Sequence, residues 1–430
     1  MKPPRRHHRP QTRTARPSGP PVELRIEAVG GEGDGLAAGP AFVPFTLPGE
    51  RVLAVGGGER RELVEVLEAS ADRIAPLCPH FGTCGGCALQ HWAPAPYLAW
   101  KVERLAGALA RQQIETEILP PFAAEPGTRR RVALHARRGN REAAKLGYKA
   151  RKSWDLVDIA VCPISDPAIQ AAIPALKRLA APLFEHPQSA PTLHVTLTPS
   201  GLDIDISGVE RKSGGLSADA RMQLAERAAE SDFARVTLDG EAAYLARLPQ
   251  VRLGQAVVSL PPGAFLQATA GAEAAMADFL VEQAAGAARI ADLFCGVGTF
   301  TFRLAEVAQV YATDVAPQAI RALTSALAGA PGLHGITAEA RDLVRRPVLA
   351  VELKKTDLAV FDPPRAGAAE QTEELARSQV ARVIAVSCNP ATFARDARTL
   401  IDAGFSLDRI LPVDQFLWSP HVELVGVFSR

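Results

Sequence analysis

The sequence predicts an α/β domain with an open, largely parallel sheet, preceded by a small β-barrel and a mixed α+β region. From residue 255 to residue 430, short apolar runs alternate with glycine turns and helix-like segments, as in parallel strands joined by crossover helices. Residues 22–70 alternate apolar and polar positions between glycine-rich turns, which indicates short antiparallel strands. Residues 71–254 contain four of the six cysteines. We therefore expect three domains with these boundaries.

Length and composition are those of an ordinary globular protein. With 430 residues, 47% of them hydrophobic and 22% charged, the chain is long enough for several hydrophobic cores. It contains no run of 18 apolar residues, so we expect no membrane-spanning helix. Clustered cysteines in a chain of this size fit a metal site and a reactive thiol better than a disulfide framework. We expect a cytoplasmic protein that acts as a monomer.

Residues 1–21 form a basic, proline-rich tail. Six Lys or Arg side chains precede the first acidic residue, Glu23, and six prolines fall among them. Such a composition buries too little apolar surface to fold, so the tail is predicted to be disordered. It suits contact with nucleic acid, and a merely solubilising extension is the alternative.

The strands predicted in residues 22–70 are short and follow one another closely. Four or five of them fit into this region, separated by turns such as the glycine-rich segment 30–35. Evenly spaced short strands are typical of a small barrel, and we expect the OB type, which often binds oligonucleotides. A purely structural β-module is the alternative.

Three cysteines, Cys78, Cys84 and Cys87, lie within ten residues, among glycines that let the backbone wrap tightly. The nearest candidate for a fourth ligand is Cys162, which precedes a proline. Two C-x-x-C pairs would indicate zinc, whereas a compact C-x5-C-x2-C segment with a remote Cys-Pro is closer to the ligand spacing of a 4Fe-4S cluster. The spacing favours the cluster and leaves zinc open.

The highest density of positive charge lies between the third and the fourth of these cysteines. Ten Lys or Arg side chains fall within residues 129–152, opposed by a single acidic residue, Glu142. His135, Tyr148 and Trp154 lie among or beside them and offer flat faces on which nucleobases stack. A solvated charged face is the alternative, but such a surface normally mixes both signs. The segment therefore predicts contact with RNA or DNA.

Polar side chains follow the predicted parallel strands, at the edge where open α/β sheets bind ligands. The first strand, residues 290–294, runs into a glycine loop at 295–299 that lets a ligand approach the backbone. The second strand ends at Asp314, which is placed for a pair of ribose hydroxyls. Asp342 follows the third strand and can accept from an adenine amino group, and Asp362 begins a stiff Asp-Pro-Pro-Arg loop after the fourth.

The fifth predicted strand ends at a cysteine. Residues 383–386 are an apolar run, and an Asn-Pro turn signal follows Cys388. A thiol at this edge of the sheet is placed for chemistry and is strongly nucleophilic when its surroundings favour the thiolate. A small buried cysteine is the alternative for any isolated thiol. The last predicted strand carries one carboxylate, Glu423, near its start.

Together these motifs resemble those of the bacterial RNA (uracil-C5)-methyltransferases that use S-adenosylmethionine, most closely the 23S ribosomal RNA branch. The resemblance covers residues 22–430, and Leu47-Pro48-Gly49-Glu50 is similar to a segment of that family's TRAM domain. Ser387-Cys388-Asn389-Pro390 matches its nucleophile motif and His421-x-Glu423 its general-base motif. The positions matching its cofactor site are Gln267, Phe294, Thr299, Asp314, Asp342 and Asp362, and those matching its 4Fe-4S ligands are Cys78, Cys84, Cys87 and Cys162.

Two positions depart from the pattern of the ribosomal branch. Thr299 stands where that branch carries Asn, and Asp314 where it usually carries Glu. Both replacements keep the capacity for hydrogen bonding, so we expect altered detail rather than lost cofactor binding.

The resemblance implies a Rossmann-like class I methyltransferase domain with a helix near residues 97–109 packed on it. RNA is the implied partner, held by a TRAM-like barrel and an iron–sulfur domain. It also implies that the Cys388 thiolate adds to C6 of uracil, that C5 then accepts a methyl group, and that Glu423 removes the C5 proton. The uridine must leave its stack to reach such a pocket.

Three alternatives to this function stay open. The nearest keeps the chemistry and changes the target to the uridine of the tRNA T-loop, although the barrel and the cysteine cluster favour ribosomal RNA. The second is a redox enzyme in which a cluster feeds electrons to Cys388. The third is a non-catalytic RNA-binding protein with a degenerate methyltransferase domain, against which the intact Cys388 and Glu423 argue.

Overall fold

The computed structural model of this chain describes residues 19–210 and 214–430. Residues 1–18, which make up most of the predicted basic tail, therefore lie outside the described residues. The described chain divides into two compact units. One consists of the residues up to Pro76 together with Ala88–Pro96, and the other of Leu77–Cys87 together with Tyr97–Arg430.

The first unit is a small β-rich domain. Its five strands are β1 (Val22–Val29), β2 (Asp34–Ala37), β3 (Ala41–Pro44), β4 (Arg51–Val55) and β5 (Glu62–Glu68). Their order in the sheet is β3-β2-β1-β4-β5. A parallel bridge between Phe42 and Arg60 connects β3 to the segment just before β5. The inward positions of the alternating strands, such as Ile26, Val43 and Val52, form one core.

The turn between β3 and β4 is held by a buried carboxylate. Glu50 accepts from the backbone N–H of Leu47 over 2.8 Å and from the Arg73 guanidinium over 2.5 and 2.7 Å. Burial raises the pKa of Glu50, but these hydrogen bonds and the charge of Arg73 outweigh it and hold the pKa below its ordinary value. Gly49 occupies the left-handed region with φ +86°, where a side chain would be strained. The Leu-Pro-Gly-Glu motif is thus a turn closed by its own glutamate.

The second unit contains most of a long helix and a seven-stranded sheet. The helix α1 (Pro94–Ala110) is followed by two short strands, β6 (Glu117–Ile118) and β7 (Phe122–Ala123). The sheet contains β8 (Arg131–Arg137), β9 (Lys145–Lys149), β10 (Leu156–Asp158), β11 (Thr192–Thr198), β12 (Gly201–Ser207), β13 (Arg235–Leu238) and β14 (Glu241–Leu245). Its order is β10-β9-β8-β11-β12-β13-β14, and α2 (Pro167–Ala180) and α3 (Ala218–Glu230) share its core. A hairpin of β15 (Gln250–Leu253) and β16 (Ala256–Ser259) leads onward.

The C-terminal domain is a doubly wound α/β structure. Its strands are β17 (Arg289–Leu293), β18 (Gln309–Asp314), β19 (Ile336–Ala340), β20 (Leu358–Phe361), β21 (Arg382–Ser387), β22 (Ser406–Asp414) and β23 (Glu423–Ser429). Its helices are α4 (Ala270–Gln283), α5 (Thr301–Leu304), α6 (Pro317–Ala326), α7 (Ala369–Arg377) and α8 (Pro390–Asp402). No helix in the described part of the chain is long and apolar enough to cross a membrane.

The strand order creates a crevice at one edge of this sheet. The order is β19-β18-β17-β20-β21-β23-β22-β6, with β7 also pairing with β22. Strands β17 to β21 are parallel, and β23 inserts antiparallel between β21 and β22. The order reverses between β17 and β20, and ligands bind outside the carboxyl ends of strands at such a point.

Four helices start where the sequence supplies a capping side chain. Asp166, Ser217, Thr269 and Asn389 each accept a hydrogen bond from a backbone N–H in the first turn of α2, α3, α4 and α8. Such caps satisfy donors that the helix itself leaves unpaired, and each contributes about 1 kcal/mol. The caps of α4 and α8 fix the residues on either side of the crevice.

Helix α1 packs on the C-terminal domain although it comes early in the chain. Leu105 and Leu109 share a core with β17 and β21. Lys101 forms an ion pair with Asp414 at the end of β22, 2.5 Å long, in which both side chains are 1% exposed. Burial lowers the pKa of Lys101 to about 8, although the Asp414 carboxylate opposes this shift. Tyr97 donates to the other oxygen of Asp414 over 2.7 Å, so α1 holds the end of β22 in place.

We expect Lys101→Ala to lower the free energy of unfolding by about 3–5 kcal/mol, because it leaves the Asp414 carboxylate buried without its counter-charge. Urea unfolding at pH 7 measures this change. Arg377→Ala is the control, because Arg377 pairs with Glu373 and Glu374 on an exposed helix surface. Exposed pairs of this kind contribute below about 1 kcal/mol. If both variants lost the same free energy of unfolding, the buried ion pair would contribute no more to stability than an exposed one.

Candidate active site

The eight residues predicted for catalysis and cofactor binding line one pocket at the carboxyl ends of the parallel strands. The pocket has a volume of about 760 Å³. These residues are Gln267, Phe294, Thr299, Asp314, Asp342, Asp362, Cys388 and Glu423. They come from different strand ends and from the loop before α4, so the parallel topology gathers residues that are far apart in sequence.

One half of the pocket surrounds the glycine loop after β17. Asp314 at the end of β18 accepts from the backbone N–H of Gly296 over 3.0 Å and from that of Ala316 over 2.8 Å. Its carboxylate therefore ties two loops together while keeping lone pairs for a ligand. Phe294 has φ +64°, a strained conformation for a residue with a side chain. Gly298 has φ +96°, and a Cβ there would lie 2.7 Å from the Phe302 ring, so only glycine fits.

Asp342 and Thr299 complete this half. Asp342 accepts from the backbone N–H of Val344 over 3.1 Å, which orients its carboxylate in the loop after β19. Thr299 is nearly buried, two residues before α5. Asp292, inside β17, accepts from the Thr301 hydroxyl over 2.5 Å, and burial raises its pKa to about 7. It does not line the pocket but supports the start of α5.

Cys388 lies in the other half, between the end of β21 and the start of α8. The side chain of Asn389 caps α8 by accepting from Ala391, and Pro390 is the first helical residue. Burial, together with the carboxylates of Glu423 and Asp362, raises the pKa of Cys388 to about 11, although Arg365 opposes this rise. The thiol is therefore protonated at neutral pH in the free protein. Arg365 and the positive end of α8 supply charge that favours the thiolate form.

Two carboxyl groups stand close to the thiol, the buried Glu423 and the half-buried Asp362. Burial raises the pKa of Asp362 to about 7. Burial and the charge of Asp362 raise the pKa of Glu423 to about 8. Because each charge disfavours the other, the pair retains at least one proton near neutral pH. Such groups are poised to exchange protons with a substrate under physiological conditions.

Gln415 is a site residue that the sequence patterns did not reveal. It lines the pocket and connects Gln267 with Glu423 through hydrogen bonds of 2.7 and 2.8 Å. It belongs to no recognisable motif, and its importance depends on where β22 ends. The only sequence signal is a polar residue next to the buried end of a strand.

The predicted stacking surface is only partly present. Trp154 is 70% exposed, and the Lys149 ammonium lies 3.9 Å from its ring centre. The prediction for Tyr148 is wrong: its side chain packs against the central core, and its hydroxyl lies 3.8 Å from Cys162 Sγ. His135 Nδ1 lies 3.0 Å from the Thr192 hydroxyl. Alternation along β9 turns Tyr148 inward, a direction that the charge pattern did not reveal.

Cations do border the pocket itself. Arg129 and Arg131 line it beside the central sheet. The Arg131 guanidinium lies 5.2 Å from the ring centre of Phe265, which is exposed. The pocket therefore combines a carboxylate-rich interior with positive charge at its border.

The four predicted cluster ligands do not line this pocket. All four side chains, Cys78, Cys84, Cys87 and Cys162, are half-buried. The backbone N–H of Gly85 donates to Lys149 over 2.9 Å, which ties the cysteine segment to β9. Burial raises the pKa of Cys78 and of Cys84, and the charge of Cys162 raises both. Within residues 19–210 and 214–430, no three His, Cys, Asp or Glu side chains lie together as ligands for a metal ion.

Comparison with known proteins gives consistent matches. The family described as tRNA (Uracil-5-)-methyltransferase matches residues 222–430. An uncharacterized RNA methyltransferase of Caulobacter vibrioides is 65% identical over 95% of this chain and all of its own length. The 23S rRNA (uracil(1939)-C(5))-methyltransferase of Acidithiobacillus ferrooxidans is 32% identical, over 95% of this chain and 98% of its own.

A solved structure shares the architecture. The tRNA (uracil-54, C5)-methyltransferase of Pyrococcus abyssi, in complex with S-adenosyl-L-homocysteine, matches with a TM-score of 0.73 and 24% identity. The match covers 94% of this chain and 99% of that one. The likeness confirms the class I methyltransferase fold predicted for the C-terminal domain. With its relatives in sequence, it shows that the chain belongs to the RNA (uracil-5)-methyltransferase family.

Proposed function

We propose that this protein methylates C5 of a uridine in 23S rRNA, with S-adenosylmethionine as methyl donor. The observation that carries the proposal is the meeting of Cys388, Asp362 and Glu423 in one pocket with the cofactor-type residues Asp314 and Asp342. A thiol and two proton-exchanging carboxyl groups are the set that methylation of an unreactive ring carbon requires. The 23S rRNA relative in Acidithiobacillus ferrooxidans supports the choice of RNA.

The loops after β17, β18 and β19 suit the nucleoside half of the methyl donor. Asp314, held by two backbone N–H groups, has lone pairs for ribose hydroxyls, and Asp342 has them for an adenine amino group. Phe294, Thr299 and Gln267 line the same space. The cavity of about 760 Å³ is large enough for the donor and one flipped base.

The reaction proceeds through a covalent adduct in this proposal. The Cys388 thiolate adds to C6 of uracil, and the resulting enolate makes C5 nucleophilic. Bound S-adenosylmethionine supplies the methyl group that C5 takes up. Glu423 then removes the proton from C5, and the electrons of that bond expel the Cys388 thiolate and restore the ring double bond. The products are the methylated uridine and S-adenosylhomocysteine, with Cys388 released as thiolate and the C5 proton on Glu423.

Other parts of the chain hold the RNA. We assign residues 22–70 to a TRAM-like OB barrel, residues 71–254 to an iron–sulfur and RNA-binding domain, and residues 255–430 to the methyltransferase domain. The order β3-β2-β1-β4-β5 with the Phe42–Arg60 bridge supports the barrel. Arg129, Arg131 and the exposed Trp154 support RNA contact. The protein acts in the cytoplasm, where its RNA substrate is found.

Cys78, Cys84, Cys87 and Cys162 hold a 4Fe-4S cluster in this proposal, with a structural role. All four cysteines are half-buried, and the charge of Cys162 raises the pKa of both Cys78 and Cys84, which supports their proximity. The C-x5-C-x2-C spacing with a remote Cys-Pro is closer to the ligand spacing of a 4Fe-4S cluster than to that of a zinc site, and it favours the cluster.

Purified anaerobically, the Cys162→Ser protein should lose most of its iron, inorganic sulfide and visible absorption, because a cluster without one thiolate ligand is poorly held. Iron and sulfide assays on the wild-type and variant proteins measure this. Cys295→Ser is the matched control, since Cys295 lies in the glycine loop of the other domain and should leave the iron content unchanged. Stoichiometric zinc in place of iron in the wild type would overturn the assignment.

Labelled S-adenosylmethionine, incubated with unmodified 23S rRNA and separately with unmodified tRNA, tests the function. Mapping 5-methyluridine in 23S rRNA supports the proposal and locates the nucleotide. Label in tRNA alone keeps the chemistry and moves the target, an outcome favoured by the tRNA enzyme of Pyrococcus abyssi as structural neighbour. Label in neither RNA contradicts the proposed function.

A further inference from the structure

Gln415 is a buried glutamine whose amide has one orientation. It follows β22 directly and is 2% exposed. Its Oε1 accepts a 2.8 Å hydrogen bond from the backbone N–H of Ala268, a group that only donates. The oxygen of this amide must therefore face Ala268, and its nitrogen must face the other way.

The nitrogen of Gln415 in turn fixes the orientation of the Gln267 side-chain amide. Nε2 donates one hydrogen to Gln267 Oε1 over 2.7 Å and the other to Glu423 Oε2 over 2.8 Å. Gln267 Oε1 is thereby occupied, and its Nε2 donates to Asp362 Oδ2 over 3.0 Å. The second Nε2 hydrogen of Gln267 has no acceptor among the described residues, although Gln267 lines the pocket. A ligand in the pocket is thus offered a donor.

We propose that Gln415 is a positioning residue that fixes the amide of Gln267 as a donor and thereby makes the pocket accept uracil and reject cytosine. The inference rests on the proposed methylation of uridine and adds the residue that sets base specificity. A backbone N–H of the loop before α4 starts the chain of hydrogen bonds, and this group cannot reverse its polarity.

The two bases differ at position 4 of the ring. Uracil has a carbonyl oxygen there, which accepts a hydrogen bond from a fixed N–H. Cytosine has an amino group, which is itself a donor and cannot accept from that N–H. An amide that turns by 180° serves either base, because its oxygen then faces the ring. Sites that discriminate through buried hydrogen bonds reject the wrong partner strongly, since the mismatch leaves polar groups unpaired.

Gln415→Met tests the proposal, because Met has the same length and makes none of the three hydrogen bonds. The substrates are two RNA fragments that differ only in uridine or cytidine at the mapped target. We expect the ratio of 5-methylcytidine to 5-methyluridine formed in competition to rise at least about tenfold. We also expect the pH–rate profile to move to higher pH, because the hydrogen bond from Gln415 lowers the pKa of Glu423.

Gln415→Glu provides a second variant with a different signature. When protonated, its carboxyl group still accepts from Ala268 and donates to Gln267, so uracil preference persists at pH 6. When ionised at pH 9, it only accepts, so Gln267 turns its nitrogen toward it and its oxygen toward the base. The preference for uracil should therefore fall with rising pH in this variant alone.

Gln371→Met is the matched control. Gln371 is 1% exposed in the same domain, and its side chain bonds to the backbone of Val348 over 2.8 and 3.0 Å, away from the pocket. The Gln371→Met substitution should lower the melting temperature as Gln415→Met does, while the base preference and the pH–rate profile stay those of the wild type. This comparison separates positioning from stability.

The outcomes are distinct. If the wild type forms no 5-methyluridine, the proposed function fails and the inference fails with it. If the wild type methylates uridine while Gln415→Met and Gln415→Glu keep its base preference and pH profile, the inference alone fails. Raised 5-methylcytidine in both Gln415 variants, with wild-type preference in Gln371→Met, supports it.

Discussion

The Cys388→Ala protein should form no detectable 5-methyluridine, with kcat/KM reduced by at least about a thousandfold. Without a thiolate at C6, C5 of uracil stays too weak a nucleophile to take a methyl group. Cys388 is half-buried at the end of β21, so the smaller side chain leaves the fold intact. Single-turnover methyl transfer to the mapped 23S rRNA fragment measures the loss.

RNA that carries 5-fluorouridine at the target separates lost chemistry from lost binding. Fluorine at C5 cannot leave as a proton, so the adduct of the wild type persists as a protein–RNA complex on a denaturing gel. Cys388→Ala should form no such complex while binding S-adenosylmethionine with unchanged affinity, because the thiol lies in the other half of the pocket from Asp314 and Asp342. Methylation by Cys388→Ala at the wild-type rate would rule out the covalent route.

The catalytic strands were predictable because parallel topology constrains them. Strands β17, β18, β20 and β21 are largely buried, β19 is a more exposed edge strand, and the carboxyl ends of all five must lie at one edge of the parallel sheet. Asp314, Asp362 and Cys388 stand at or just beyond such ends, so their meeting in one pocket follows from the strand order. Position in sequence alone was enough to identify them.

The rest of the site depends on contacts between distant segments. Gln415 gains its role because β22 ends beside Gln267, and α1 keeps it there through the ion pair of Lys101 with Asp414. No local pattern contains this information, since Gln415 lies 148 residues from Gln267, and Asp414 lies 313 residues from Lys101. The prediction for Tyr148 is wrong for a related reason. The cations around it suggested an exposed stacking face, but packing against the core determines which side chains of β9 point inward.

Glu423→Gln should stop turnover while sparing the first chemical steps, with kcat reduced by about a hundred- to ten-thousandfold. Glutamine has the same shape and still accepts from Gln415 Nε2, so the site keeps its geometry. It cannot remove the C5 proton, so the methylated adduct on Cys388 should accumulate. A denaturing gel should then show a protein–RNA complex that carries the labelled methyl group, with ordinary uridine as substrate.

The same variant should also change how stability depends on pH. Glu423 has a pKa of about 8 in the folded protein, raised mainly by burial, and an ordinary value near 4.5 when unfolded. The folded state therefore holds a proton that the unfolded state releases, and stability from this group falls as pH rises from about 4.5 to 8. Glu423→Gln removes that slope, so it should melt higher than the wild type at pH 9 and differ little at pH 4. A Glu423→Gln protein that turns over normally would remove Glu423 as the base, and one that shows no such pH effect would show that the pKa of Glu423 is not raised in the folded protein.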